Sequence, residues 1–505
     1  MSFPPIHLHD TRRRAVVPFE PLEPGKVGIY SCGPTVYAPQ TLGNMRSQLM
    51  PDLLRRVLLA AGYDVTYVTN ITDVGHLTSD ADAGDDKVEA AAARAGQTVA
   101  EITGHFTEQW ATDRRRLGCL EPDIRPAASE HIAEQIAMVQ TLEAQGHTYV
   151  IDDGVYFDVS TFPRYAEFAG LDLDELEATG RIDNLEAKRH PADFALWKLS
   201  PPGVTRLQEW DSPWGRGFPG WHIECSAMAT RYLGDRFDIH TGGVDHIRVH
   251  HTNEVAQSEC ALGVHPWVSI WMHNEFLDLS GRKMSKSAGD VLVVDTLVDA
   301  GIEPLAFRYF FLQAHYRQQQ EFTIDGVRAA GVALRRLVGP RWRRRGGGRR
   351  RGGDPARTEP FREAFWAALA DDLDAPKALA VASTVAARPT SPPPTAGASW
   401  PTSTAPSRSA WPMRPGSTPP RWAATTSARG SGPARRAQRR PGGEGLGSGR
   451  RAARPAGGDG LRRGRHRRGS QAPPSLIASS GPGAHRRPGT VGRRRGILVP
   501  VVTDR

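Results

Sequence analysis

The sequence predicts an α/β protein built on a parallel sheet, and three neighbouring segments predict it. Val27 to Cys32 is a short apolar run closing on Gly33-Pro34, which suits a buried strand and its turn. Residues 51–62 place Leu53, Leu54, Val57 and Leu58 at helical spacing and stop at Gly62. Asp64 to Asn70 (DVTYVTN) is rich in β-branched and aromatic residues, the composition of a second strand. Strand, helix, strand in that order is a βαβ unit, which implies a parallel sheet.

The pattern is then interrupted. Residues 126–205 read as an inserted module, with a helix from Ser129 to Gln145 and short strands around Tyr149–Ile151 and Val155–Val159. The α/β pattern resumes near Trp221. Phe237 to His240 is a strand, Gly242-Gly243 follows it, and a helix covers about Val249 to Leu262. Residues 326–337 and 359–385 read as helices, separated by a run in which seven of residues 341–351 are arginine. The expected division is 20–125 and 206–280 as two halves of one sheet domain, 126–205 as the insert, 281–325 as a connecting region, 326–385 as helical and 386–505 as a tail.

A chain of 505 residues is long enough for two or three domains with their own cores. No apolar segment follows the Arg12-Arg13-Arg14 run, and no stretch approaches the roughly 18 apolar residues of a spanning helix. A cytoplasmic protein without membrane association is expected. Four cysteines in such a length point to reduced thiols, some available to metal, rather than to a disulfide framework.

The net charge of +9 has to be divided before it means anything. After Val385 lie 23 of the 64 basic residues and three of the 55 acids, so the tail carries +20 and the preceding 385 residues carry −11. The organised part is acidic, and the overall basicity is no evidence of a nucleic-acid-binding core. The tail has no Phe, Tyr or Lys and is expected to be disordered. Two readings of it stand: a genuine basic tail, or GC-rich coding sequence translated out of frame.

Chemistry concentrates in four pieces. They are Cys32-Gly33-Pro34-Thr35-Val36-Tyr37 with Thr41-Leu42-Gly43-Asn44; Trp221-His222-Ile223-Glu224-Cys225; His240-Thr241-Gly242-Gly243-Val244-Asp245 leading to His250-His251-Thr252-Asn253-Glu254; and Lys283-Met284-Ser285-Lys286-Ser287. Alone, most of these residues have plain structural roles. A cysteine on a strand is usually a small buried hydrophobe, and Cys119 and Cys260 are read that way. His222 and Glu224 suit hydrogen-bonded core groups, and His251 suits either packing or support of a ligand. Two lysines on a glycine-flanked loop are ordinarily solvated charge.

Together and in this order, the pieces resemble the cysteinyl-tRNA synthetases, a family of class I aminoacyl-tRNA synthetases, from about residue 27 to 325. The resemblance implies a Rossmann-like catalytic domain split by a connective module, a KMSKS loop and stem-contact region at 281–325, and a partial helical tRNA-binding domain at 326–385. It implies activation of L-cysteine with ATP, accompanied by Mg2+, and transfer to tRNA(Cys) by a monomer. It also implies one zinc ion per chain, held by Cys32, Cys225, His250 and Glu254. His250 and Glu254 are four apart and share a helix face, and thiolate, imidazole and carboxylate are ordinary zinc ligands.

The same resemblance gives Lys283 and Lys286 a catalytic role against the charge on departing pyrophosphate, with Lys286, Thr41, Gly43, Asn44, Gly242 and Gly243 at ATP. Thr41 and Asn44 replace the two histidines of the family's His-Ile-Gly-His motif; both can donate hydrogen bonds and neither can carry positive charge. Thr72, Trp221 and Asp245 are expected at the amino acid. After residues 361–380 the resemblance stops, so two further readings stay open: an ATP-dependent ligase joining cysteine to a small amine, as in mycothiol synthesis, and a catalytically silent paralogue that binds zinc or tRNA.

Overall fold

Four parallel strands organise the chain: β1 (Lys26–Ser31), β2 (Asp64–Thr69), β3 (Phe237–Gly243) and β4 (Val268–Asn274), in the spatial order β4-β3-β1-β2. The computed structural model describes residues 3–74, 86–170, 187–201, 203, 206–278, 291–342 and 355–387. All of them belong to one unit, Met1–Trp400; a second unit, Pro401–Arg505, lies outside the described residues. Also outside are 279–290, with Lys283 and Lys286, and the Arg/Gly run 343–354.

The sheet is covered on both faces, which is why most of its strand positions are buried, polar ones included. Val27, Ile29, Val65 and Tyr67 pack with the helix Leu42–Ala60 on one side. Tyr30, Val68, Phe237 and Val268 belong to a second core that includes the helix Trp221–Leu233 and the insert. From β1 the chain runs outward to β2, and it later returns to lay β3 on the other flank of β1. That reversal opens a crevice beyond the carboxyl ends of β1 and β3, where ligands of open α/β sheets bind.

The insert is an antiparallel sheet of Thr148–Ile151, Gly154–Phe157, Phe194–Leu199 and Gly217–Pro219, so its last strand lies beyond residue 205. The helix expected from Ser129 spans Ile132–Ala144, after a 3-10 turn at Ala128–Glu130. An N-terminal hairpin, His7–Asp10 with Ala15–Pro18, sits against β4, where the Thr11 amide donates to the Trp271 carbonyl at 2.9 Å. Among the described residues, no helix is long and apolar enough to cross a membrane.

Three helical expectations need correction. The helix expected from residue 51 begins at Leu42, capped by the Thr41 hydroxyl, and runs through Pro51. One lost helical hydrogen bond is outweighed by its thirteen buried positions. The helix expected from Val249 begins instead as a π-helical turn, Ile247–His251, which passes into Thr252–Leu262. The helix expected over 359–385 is two, Pro355–Ala370 and Ala375–Ala387, broken where Asp372 and Leu373 take φ of 51° and 56°. That break lets Asp372 accept from the His9 amide, the Tyr316 hydroxyl and Arg317 Nε at 2.9, 2.6 and 2.8 Å.

Candidate active site and metal centre

Cys32 follows β1 directly, and its amide donates to the Thr241 carbonyl of β3 at 3.3 Å, so its sulfur stands at the crevice. Gly33 comes next because nothing larger fits. A Cβ there would lie 1.5 Å from the Asn70 carbonyl oxygen. Cys225 projects from the first turns of Trp221–Leu233, and His250 and Glu254 come from the π-turn and the helix after it. These four residues offer ligand atoms that all lie within 4.8 Å of one another, and all four side chains are buried.

A second set of four, Cys32, His240, His251 and Glu254, meets the same limit and shares two members with the first. The two sets differ in how they meet the crevice, since three members of the first line it and only Cys32 of the second does. Cys32, Cys225 and His250 line a cavity of about 740 Å3, whereas His240 and His251 do not.

The electrostatics suit a cation. Glu254 lies 2.6 Å from His250 Nε2 and 2.7 Å from His240 Nε2. Burial alone would raise its pKa, but the two imidazoles outweigh burial and hold the carboxyl well below the usual range. A hydrogen bond from Cys32 draws the Cys225 thiol down to about 6, against the opposing effect of burial, while burial and the neighbouring Cys225 push Cys32 up. Burial opposes charge on His250, yet Glu254 and Cys225 raise it to about 10. Glu254 and Cys225 are thus both drawn toward their anionic forms at one buried point. Two sulfurs, a nitrogen and a carboxylate oxygen form an ordinary donor set for zinc.

Around this cluster the cavity gathers most of the residues expected to bind substrates. Trp221 stacks on His250 with ring centroids 4.3 Å apart, and Thr72 accepts from Asn70 Nδ2 at 3.1 Å. The Asp245 side chain is 58% exposed at the cavity wall, beside Gly242 and Gly243, which end β3 rather than forming a turn after it. Thr41 and Asn44 also line the cavity. Part of their capacity is already used, since Thr41 Oγ1 accepts from the Asn44 amide at 3.1 Å and Asn44 Nδ2 donates to Gln40 at 2.9 Å. Gly43 lies in the first turn of the same helix.

The chain matches the model of the family described as tRNA synthetases class I (C) catalytic domain over residues 18–331. It belongs to that family. Cysteine--tRNA ligase 1 of Burkholderia lata is 49% identical over 383 residues, 75% of this chain and 78% of the relative. Cysteine--tRNA ligase of Thermus thermophilus is 43% identical over 380 residues, covering 74% and 78% respectively. That of Treponema denticola is 47% identical over 325 residues, covering 64% and 66%. The Burkholderia match is about as long as the 385 residues that precede the change in composition.

Some residues of this class I synthetase site are not legible from sequence. His240 and His273 stand behind the cluster with His251, joined by hydrogen bonds across long sequence distances. His240 opens the third motif, which gives it no role there, and the only sequence signal for His273 is a buried strand position, where a polar ring needs a partner. Glu224, fully buried, has its carboxyl pushed well up by burial. Cys119 packs in the first core, as expected, whereas Cys260 is only partly buried.

Proposed function

We propose that this chain activates L-cysteine with ATP to cysteinyl-adenylate and transfers it to tRNA(Cys), with zinc held by Cys32, Cys225, His250 and Glu254. The carrying observation is the convergence of these four buried side chains, three of which line the crevice, in a class I synthetase of the (C) family. Bound there, zinc would supply a soft acceptor that favours a substrate thiolate over the serine hydroxyl.

The remaining work falls to side chains. Asp245 and Thr72 line the wall where the substrate ammonium is expected, and the Asp245 carboxylate is available to accept from it. The Trp221 indole closes the pocket over His250. Gly242 and Gly243 bring backbone to the cavity surface, and a Cβ on Gly243 would sit 2.2 Å from Asp245 Oδ1. Adenosine is assigned to that backbone. Thr41, Gly43 and Asn44 contact ATP at the helix N-terminus, where the dipole favours phosphate. Lys283 and Lys286 neutralise charge gathering on pyrophosphate as the adenylate forms.

The test is cysteine-dependent exchange of pyrophosphate into ATP, run beside the same assay with serine. Packing alone discriminates an atom-sized difference by only about 1–3 kcal/mol. Exchange with cysteine exceeding exchange with serine by well over 100-fold is expected. Comparable rates for the two amino acids would defeat selection through the metal site.

A further inference from the structure

We propose that Thr11, on the N-terminal hairpin, is a positioning residue for the metal site, acting through His273 and His251 on the Cys32 sulfur. The inference rests on the reading of Cys32, Cys225, His250 and Glu254 as zinc ligands. Its basis is an unbroken chain of side-chain contacts. Thr11 Oγ1 lies 2.7 Å from His273 Nδ1, His273 Nε2 lies 2.7 Å from His251 Nδ1, and His251 Nε2 lies 3.3 Å from Cys32 Sγ. Both imidazoles are buried, and the three contacts join residues 262, 22 and 219 apart in sequence. None of them arises from local folding.

The direction of the chain follows from elementary donor and acceptor counting. A metal-bound cysteine is a thiolate and can only accept, so His251 Nε2 must carry a proton toward it. A neutral imidazole has one N–H, so His251 Nδ1 must accept from His273 Nε2–H. By the same rule His273 Nδ1 must accept, and the Thr11 hydroxyl is its donor. Three donors therefore point the same way, ending on a ligand sulfur. Beside His251, with ring centroids 4.5 Å apart, His240 does the same for Glu254, at 2.7 Å from Oε2.

The competing arrangement makes His251 itself a ligand, with Cys32, His240 and Glu254. It would reverse every proton, with His273 Nδ1–H donating to Thr11. Two observations favour the first polarity. Cys225 and His250 line the cavity that substrate can enter, and His240 and His251 do not. The first arrangement also leaves His251 and His240 each with an N–H for the ligand it faces. The hairpin is well placed to hold the far end, because the Thr11 amide is bonded to Trp271 and the Trp271 amide to Asp10 at 3.0 Å. Thr11 and His273 also line a separate surface cleft of about 390 Å3, so the chain reaches from that cleft to the metal site.

Replacing Thr11 by valine keeps the shape and removes the only atom that can donate from that side chain. His273 Nδ1 then loses its donor, and with it the contact that fixes the ring's orientation and its proton on Nε2. The His273 and His251 rings are held less firmly, which loosens the donor on Cys32. Partners of this kind typically change metal affinity by about 10- to 100-fold.

The experiment uses the full-length chain loaded with zinc, in wild-type, Thr11→Val and Thr11→Ser forms, with zinc release to a colorimetric chelator as the readout. Release about 10-fold faster from Thr11→Val, returned toward wild type in Thr11→Ser, is expected. Wild-type release rates in Thr11→Val, or equally fast release from both variants, would overturn the proposal. A second measurement needs no variant. In zinc-loaded wild-type protein labelled with 15N-histidine, His273 is expected to carry its proton on Nε2, and a proton on Nδ1 would overturn the chain. Wild-type protein that holds no zinc would remove the metal reading and this inference with it, a result distinguishable from the others.

Discussion

The Trp221 indole lies over the His250 imidazole, with ring centroids 4.3 Å apart and planes 28° apart. Because Trp221 also lines the cavity, one ring both covers a proposed zinc ligand and faces the space proposed for the amino acid. Trp221→Ala is expected to raise KM for cysteine about 10- to 30-fold, the roughly 2 kcal/mol of a well-packed aromatic anchor. Pyrophosphate exchange across a range of cysteine concentrations measures this. An effect on kcat alone would place the ring outside the amino-acid pocket.

Cys225→Ala and His250→Ala should each strip most zinc from the purified protein, since each removes one of four buried ligand atoms. Elemental analysis of protein prepared without added metal is the measurement. Zinc content unchanged by both substitutions would sink the assignment.

Lys286→Ala should slow adenylate formation about 100-fold while leaving cysteine affinity nearly intact, because the role proposed for the lysine is to act on charge that develops in the transition state. Pre-steady-state adenylate formation and equilibrium cysteine binding separate the two. Equal losses in both would count against this role.

Thr41 has a structural duty as well as a place in the cavity. Its hydroxyl accepts from the Asn44 amide and caps the helix Leu42–Ala60. Thr41→Ala should cost about 1 kcal/mol in chemical denaturation, the usual loss of an N-cap. No change in the unfolding midpoint would show that water replaces the cap.

Asp52 is buried, which by itself would raise its pKa, but Arg308, Arg56 and the Leu120 amide outweigh burial and lower it. A carboxyl depressed on folding contributes stability that is present above its unfolded pKa and is lost as pH falls through the folded one. Arg308→Met should therefore cost about 2 kcal/mol near neutrality and progressively less below about pH 4. Urea titrations at several pH values test this, and a cost independent of pH would assign the loss to packing.

Much of the sheet domain is legible because periodicity and turn chemistry agree there. β1 and β2, and their succession through a helix, follow from Val27–Gly33, from Leu53, Leu54, Val57 and Leu58, and from Asp64–Asn70. What escapes is physical context. Nothing local announces that Pro51 is tolerated inside a helix; the buried face that holds it is tertiary. The break at Asp372 is likewise invisible, since its cause is a set of donors from His9, Tyr316 and Arg317. The Cys32, Cys225, His250 and Glu254 group is suggested by family resemblance, and only the i, i+4 pair could be argued from spacing. The chain from Thr11 through His273 to His251 joins three distant segments, which no window of sequence can reveal.

Asp372 ties the C-terminal helices to the N-terminal hairpin. Its carboxylate receives the His9 amide two residues before Thr11, and its own amide donates to the His7 carbonyl at 2.9 Å. Asp372, 363 residues after His9, thus latches the hairpin strand His7–Asp10 in place. A truncation chosen at the close of the sheet domain would keep every proposed zinc ligand yet free the hairpin that carries Thr11. Loss of the helices after residue 355 is therefore expected to loosen the proposed zinc site through the hairpin, which zinc release from a chain ending before residue 355 would measure.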